Sequence, residues 1–398
     1  MDTYIVLRDM QRSAVGDPFG SPRGGFGPGA ASGPPEPAIE VVELDHADRS
    51  ELLRDQTVVA ISPAMPTRLI EPVAEPAAQP AAGATSAWGI AAVGADASSF
   101  TGSGAVVAVL DTGIDATHPA FAGVELVQQD FSGEGDGDGN GHGTHCAGTV
   151  FGRDVDGQRI GVARGVSKAL IGKVLGADGG GDSDMIFRAI QWAVENGANV
   201  ISMSLGFDFP GLVADRVAAG WPPDLATSLA LELYRGNLRV FDALMQLVRA
   251  REAFGGGTIV VAAAGNESRR TVNPNYEIAA SLPAAAEGVV SVGALGRVGD
   301  RLDVAPFSNT FPVISGPGVG ILSAKAGGGL RELNGTSMAT PHVAGVAALW
   351  WEQVQQSGLP VQLIAQTVVG KLRASARTDT LVDGLDPADR GVGLVSAP

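Results

Sequence analysis

The stretch AVVAVLDTGID, residues 105–115, is a continuous apolar run that closes on a carboxylate, Asp111. A run with no polar alternation has no solvent face, so it reads as a parallel strand covered by helices on both sides. A polar residue at its carboxyl tip stands where open α/β sheets bind their ligands. Similar runs recur at 169–175, 198–205, 258–264 and 288–295, and helical patterns such as 184–196 lie between several of them. The expected fold class is therefore α/β: a doubly wound, mainly parallel β-sheet with helices on both faces.

Upstream of Trp88 the pattern is different. Residues 16–37 are a Gly/Pro-rich insert. Segments 38–44, 45–55 and 56–62 read as a β-α-β run able to pair with a strand at 4–8. Residues 72–87 form an Ala/Pro-rich linker without periodicity. The expected division is thus a small α/β region over 1–71, the linker, and a large domain over 88–398.

Composition removes several function classes. A formal net charge of -16 with no Lys/Arg cluster offers phosphates no footprint, so nucleic acid is excluded as a partner. No uninterrupted apolar stretch is long enough to span a bilayer, so no membrane partner is expected. One cysteine forbids an internal disulfide framework. The first residues, MDTYIVLRDMQRSAVG, hold no apolar run of signal-peptide length, which favours the cytoplasm and leaves export by another route open.

The most reactive stretch is GEGDGDGNGHGTHCAG, 133–148. Asp136 to Gly141 matches the first six positions of a helix-loop-helix calcium loop, but the twelfth position, which should hold a bidentate Glu, is Ala147. His142, His145 and Cys146 could serve zinc, yet His46, His118 and His342 stand alone and there is no second cysteine to complete four ligands. No metal and no cofactor are predicted.

A serine nucleophile needs a base to take its proton and a carboxylate to orient that base. Asp111 ends its strand, His142 opens an apparent helix, and Ser337 sits in NGTSMATPHVAGVAALWW, where Pro341 and the spacing of Val343, Val346, Ala347 and Trp350 signal a helix beginning near the serine. These three can supply the three roles.

With VAVLDTGIDATHP, GNGHGTHCAGTV, SMSLG, VVAAAGNES and LNGTSMATPHVAG in that order, the chain resembles the subtilisin family of serine peptidases over about 88–396. The resemblance implies an endopeptidase acting on protein or peptide substrates. Ser337 would be its nucleophile, His142 its general base, Asp111 the partner of that base, and Asn266 a donor of the oxyanion hole. It further implies a pocket lined by Ser204, Leu205, Gly206, Ala264 and Gly265, and an opposite edge, Gly179, Gly180 and Gly181, on which an extended peptide adds a strand. His145 and His342 are expected to pack helices, with Cys146 buried beneath His142.

Three features depart from the family pattern. Ala120 and Val155 occupy places where calcium-ligating side chains are expected, so that site is not predicted. An insertion spans about 207–255; its latter part reads as two amphipathic helices on the body, and its loop-like first part, which leaves directly from the pocket wall, is expected to form a rim or lid. Residues 1–71 resemble a prosegment, a candidate occupant of the chain's own cleft, released by cleavage within 72–87. The alternative to an enzyme is a catalytically idle scaffold of the same fold that binds a partner through its N-terminal segment or insertion.

Overall fold

The structure is a computed structural model that describes residues 2–11, 34–74, 86–255 and 257–398. Most of the Gly/Pro-rich insert 16–37 and of the linker 72–87 lies outside the described residues.

The chain opens with β1 (Asp2–Asp9), β2 (Pro37–Leu44), α1 (His46–Leu52) and β3 (Val58–Pro63), in which β1 lies between β2 and β3 and pairs antiparallel with both. A short strand β4 (Pro66–Leu69) follows, then α2 (Trp88–Ala92). The large body continues with β5 (Val106–Asp111), β6 (Glu125–Asp130), α3 (His142–Phe151), β7 (Lys168–Lys173), β8 (Gly180–Asp182), α4 (Ser183–Glu195), β9 (Val200–Met203) and β10 (Leu205–Phe207). After α5 (Phe209–Ala218) and α6 (Pro223–Arg251) come β11 (Ile259–Ala263), β12 (Val289–Val298), β13 (Arg301–Val304), β14 (Ile314–Pro317) and α7 (Thr336–Gln356).

The main sheet runs β13-β12-β11-β9-β5-β7-β6 with β14 beside β12, and every pairing in it except β12 with β13 is parallel. Alternate side chains of β5 feed two separate cores. Val107 and Val109 pack with α3 and α7, while Ala108 and Leu110 pack with α4 and α6. This is the doubly wound α/β arrangement expected from the unbroken apolar runs.

The N-terminal sheet belongs to the second of these cores. Ile5 and Leu7 of β1 are fully buried and cluster with Phe187, Val240 and Phe241 of α4 and α6. Each contributes roughly 1.5–3 kcal/mol by leaving water. Gln191 of α4 also accepts from the Ile39 backbone N–H at 2.8 Å.

The insertion differs from its sequence reading in two ways. Its first part is helical: Asp208 caps α5 by accepting from the Gly211 N–H at 2.9 Å, and Pro210 stands in the first turn. Its latter part is one helix of 29 residues rather than two. The apparent break falls at Asn237, a polar residue inside the apolar stripe. Its buried amide donates to the Ser62 hydroxyl at 3.2 Å and the Pro63 carbonyl at 3.0 Å, so the stripe continues beneath the N-terminal sheet.

Candidate active site

Asp111 is the last residue of β5, and β5 delivers its carboxylate to the opening of α3. That approach is close. A Cβ on Gly143 would lie 2.2 Å from the Gly113 carbonyl oxygen, so only glycine lets the strand tip meet the helix start. His142, the first residue of α3, then places Nδ1 2.8 Å from Asp111 Oδ1 with both side chains 1% exposed. Burial works against a charged imidazole, but the adjacent Asp111 carboxylate outweighs it and holds the His142 pKa well above the ordinary histidine value. The far nitrogen, Nε2, is buried without a hydrogen-bond partner.

Asp138, set aside by sequence as part of a failed calcium loop, ties this pair of elements together. One oxygen accepts from the Thr112 hydroxyl at 2.8 Å and the Gly141 N–H at 2.6 Å, the other from the Thr144 N–H at 2.8 Å and its hydroxyl at 2.6 Å. It is the cap of α3, three residues upstream of where a local cap would stand.

Ser337 is the second residue of α7. Pro341, four residues on, has no N–H to give the Ser337 carbonyl, so that oxygen is taken instead by the Ser204 hydroxyl at 3.2 Å and the Cys146 thiol at 3.4 Å. Cys146 is buried, and burial pushes its thiol pKa up. With Asp111 and His142 it forms the one group of three ligating side chains among the described residues, its sulfur 3.7 Å from His142 Nδ1. His145 and His342 are buried elsewhere, bonded through one ring nitrogen to backbone carbonyls.

Asn266 follows β11. Thr336 fixes its amide by donating from both N–H and hydroxyl to Oδ1 at 2.9 Å, which leaves Nδ2 facing the cleft. The cleft is filled by the chain's own β4, which is the central strand between β10 and β8. Leu205 and Gly206 pair with Leu69 and Arg68; Gly180 and Gly181 pair with Arg68 and Thr67; the Gly179 carbonyl accepts from the Leu69 N–H at 2.8 Å. Beyond β4 the Ser337 hydroxyl donates to the Ile70 carbonyl at 3.1 Å, Asn266 Nδ2 to the Glu71 carbonyl at 2.9 Å, and Asn334 holds Val73 through two bonds. Gly265 donates to the Thr336 hydroxyl at 3.2 Å, and the Ala264 carbonyl accepts from Asn309 at 3.1 Å.

Sequence reading missed Asp138, Thr336 and Asn334, and, although it named residues 1–71 as a candidate occupant of the cleft, it did not single out 66–73 as the part that enters. Thr336 and Asn334 adjoin the serine in the quoted motif, whereas nothing local in PTRLIEPV marks it as a cleft occupant.

An α/β sheet with an Asp-His pair and a helix-borne serine at its carboxyl edge defines a subtilisin-like serine endopeptidase fold. The subtilase family model matches residues 102–387, and the chain belongs to that family of hydrolases. It is 33% identical over 273 residues to the M-protease of Shouchella clausii, covering 66% of this chain and 58% of that protein. It is 34% identical over 273 residues to Subtilisin BL of Lederbergia lenta, covering 66% of this chain and 82% of the relative. Against Subtilisin E of Bacillus subtilis the identity is 34% over 255 residues, 63% of this chain and 56% of the relative. The expected cytoplasmic location is corrected by these matches, because such subtilisins and alkaline proteases are secreted extracellular enzymes.

Proposed function

We propose that this chain hydrolyses peptide bonds of protein substrates through an acyl-enzyme on Ser337, and that residues 1–71 hold the cleft closed until they are removed. The observation that carries the chemistry is the His142–Asp111 pair at 2.8 Å with Nε2 buried and unpartnered, the state of a base waiting for a hydroxyl proton. Ser337 Oγ adds to the substrate carbonyl carbon while its proton passes to His142 Nε2. Asp111 stabilises the imidazolium, and Asn266 Nδ2 with the Ser337 N–H receives the oxyanion. The imidazolium then protonates the departing amine, and water repeats the sequence to free the acid.

The closed cleft is supported by the way the two groups are engaged. A productive substrate presents one carbonyl to both the nucleophile and the oxyanion donor. Here the Ser337 hydroxyl meets Ile70 and the Asn266 amide meets Glu71, one residue apart. The strand β4 is bound like a substrate and held out of phase for attack. These contacts favour a cut at Ile70–Glu71, beside the 72–87 linker, because it is the Ile70 carbonyl that the Ser337 hydroxyl meets.

Intact mass after incubation, beside fluorophosphonate labelling, tests the reading. The expected result is that wild type loses its first 70 residues and takes up the probe while Ser337→Ala does neither. A folded wild type that stays full length and unlabelled overturns it in favour of the idle scaffold.

A further inference from the structure

The strand lying in the cleft carries information on which substrates fit there. Its side chains Thr67, Leu69 and Ile70 are buried, whereas Arg68 turns outward and is 45% exposed. Arg68 Nη1 lies 3.3 Å from Asp208 Oδ1, and its Nη2 lies 3.8 Å from Glu267 Oε1. The two carboxylates come from different elements: Asp208 caps the inserted helix α5, and Glu267 directly follows Asn266.

Both are held independently of Arg68. Asp208 accepts from the Gly211 N–H of its own helix at 2.9 Å. Glu267 Oε2 accepts from Asn309 Nδ2 at 2.7 Å. A site whose carboxylates stay in place when the occupant leaves has no ordering cost left for the incoming cation.

We propose that Asp208 and Glu267 form a cation-selecting subsite for the third residue on the acyl side of the scissile bond, so that segments with Arg there, followed by two apolar residues, are the preferred substrates. The inference rests on the reading of β4 as a substrate-like occupant whose Ile70 carbonyl faces Ser337. Arg fits better than Lys, because a guanidinium reaches two carboxylates through separate nitrogens while an ammonium is a single point charge. The chain's net charge of -16 works in the same direction by drawing cationic segments toward it.

The test uses the self-processed full chain and four internally quenched peptides, identical except for Arg, Lys, Gln or Glu at that third position. Wild type is expected to cleave in the order Arg, Lys, Gln, Glu, with about three- to tenfold in kcat/KM between Arg and Gln, the yield of two rim-exposed ion pairs. The preference shrinks in high salt. The double variant Asp208→Asn, Glu267→Gln, checked as folded by circular dichroism, is expected to cleave the Arg and Gln peptides within about twofold of each other. Asn at 208 retains a side-chain oxygen for the helix cap. Casein hydrolysis with fluorophosphonate uptake but equal rates on the Arg and Glu peptides overturns the subsite alone, as does a preference that survives in the double variant. A chain that neither labels nor cleaves casein overturns the peptidase reading, and this inference with it.

Discussion

At the scale of single residues, His142 and Ser337, the base and nucleophile of the proposed mechanism, each lean on a buried neighbour. His142 must be neutral to accept a proton, and its pKa is raised by Asp111 against the opposing effect of burial. Activity therefore falls as pH falls through a midpoint above the ordinary 6.5, measured as kcat/KM against pH. Asp111→Asn removes the raising charge and leaves burial, so the midpoint moves down while turnover drops on the order of ten-thousandfold. A profile with its midpoint unmoved in that variant counts against the pairing. The Ser337 carbonyl, orphaned by Pro341, leans on Ser204 and Cys146. Cys146→Val removes one of those donors and crowds the base, and is expected to cost about 1–3 kcal/mol in stability by thermal melting. Cys146→Ser, which restores a donor, is expected to recover part of it. Asp111, His142 and Ser337 were legible because each stands at a strand tip or helix start, where sequence marks the element boundary. Asp138 was not, because its partners Thr112 and Thr144 meet it only after β5 and α3 are brought side by side.

At the scale of elements, the insertion and the N-terminal sheet are two halves of one interface. The helix α6 packs beneath β3, with Asn237 bonded to Ser62 and Pro63, while β1 sends Ile5 and Leu7 into the core shared with α4 and α6. The unbroken apolar runs made the main sheet readable, since a strand buried on both faces leaves no other periodicity. The insertion was less so. Asn237 interrupts the stripe of α6 in sequence, and Pro210 and the Asp208 cap begin a helix in what reads as a loop. The placement of β4 between β10 and β8 had no local signal at all, because its partners are glycine-rich strands far along the chain. Leu7→Ala removes a fully buried side chain from this interface and is expected to weaken docking of the N-terminal sheet by about 2–5 kcal/mol. If residues 1–71 hold the cleft closed, the variant takes up fluorophosphonate sooner than wild type. Uptake at an unchanged rate counts against that role.

At the scale of the whole molecule, three of the four histidines buried among the described residues set the pH range over which the fold and the proposed chemistry coexist. Burial lowers His145 from 6.5 to about 3, with the charge of nearby His142 adding to it, and burial lowers His342 from 6.5 to about 4. Both stay neutral in the folded chain down to those values, whereas unfolding frees them to bind protons below about 6.5. The unfolded state thus binds more protons between pH 6.5 and 4, and stability falls with pH there by about 1.4 kcal/mol per unit for each histidine. His142 acts in the opposite sense. Its raised pKa means the folded chain holds the extra proton above 6.5, so its contribution is full below that value and is lost as pH climbs through the folded pKa. The three together place maximum stability near pH 6.5, below the range in which His142 is neutral, as the proposed base must be. Urea midpoints taken from pH 4.5 to 9 are expected to peak there and to fall away on both sides, while kcat/KM is still rising. In His342→Gln the acid side of that peak flattens by about one proton's worth of slope. A wild-type midpoint that holds level from pH 6.5 to 4.5 rules out the proton uptake on which this separation of stability and activity depends.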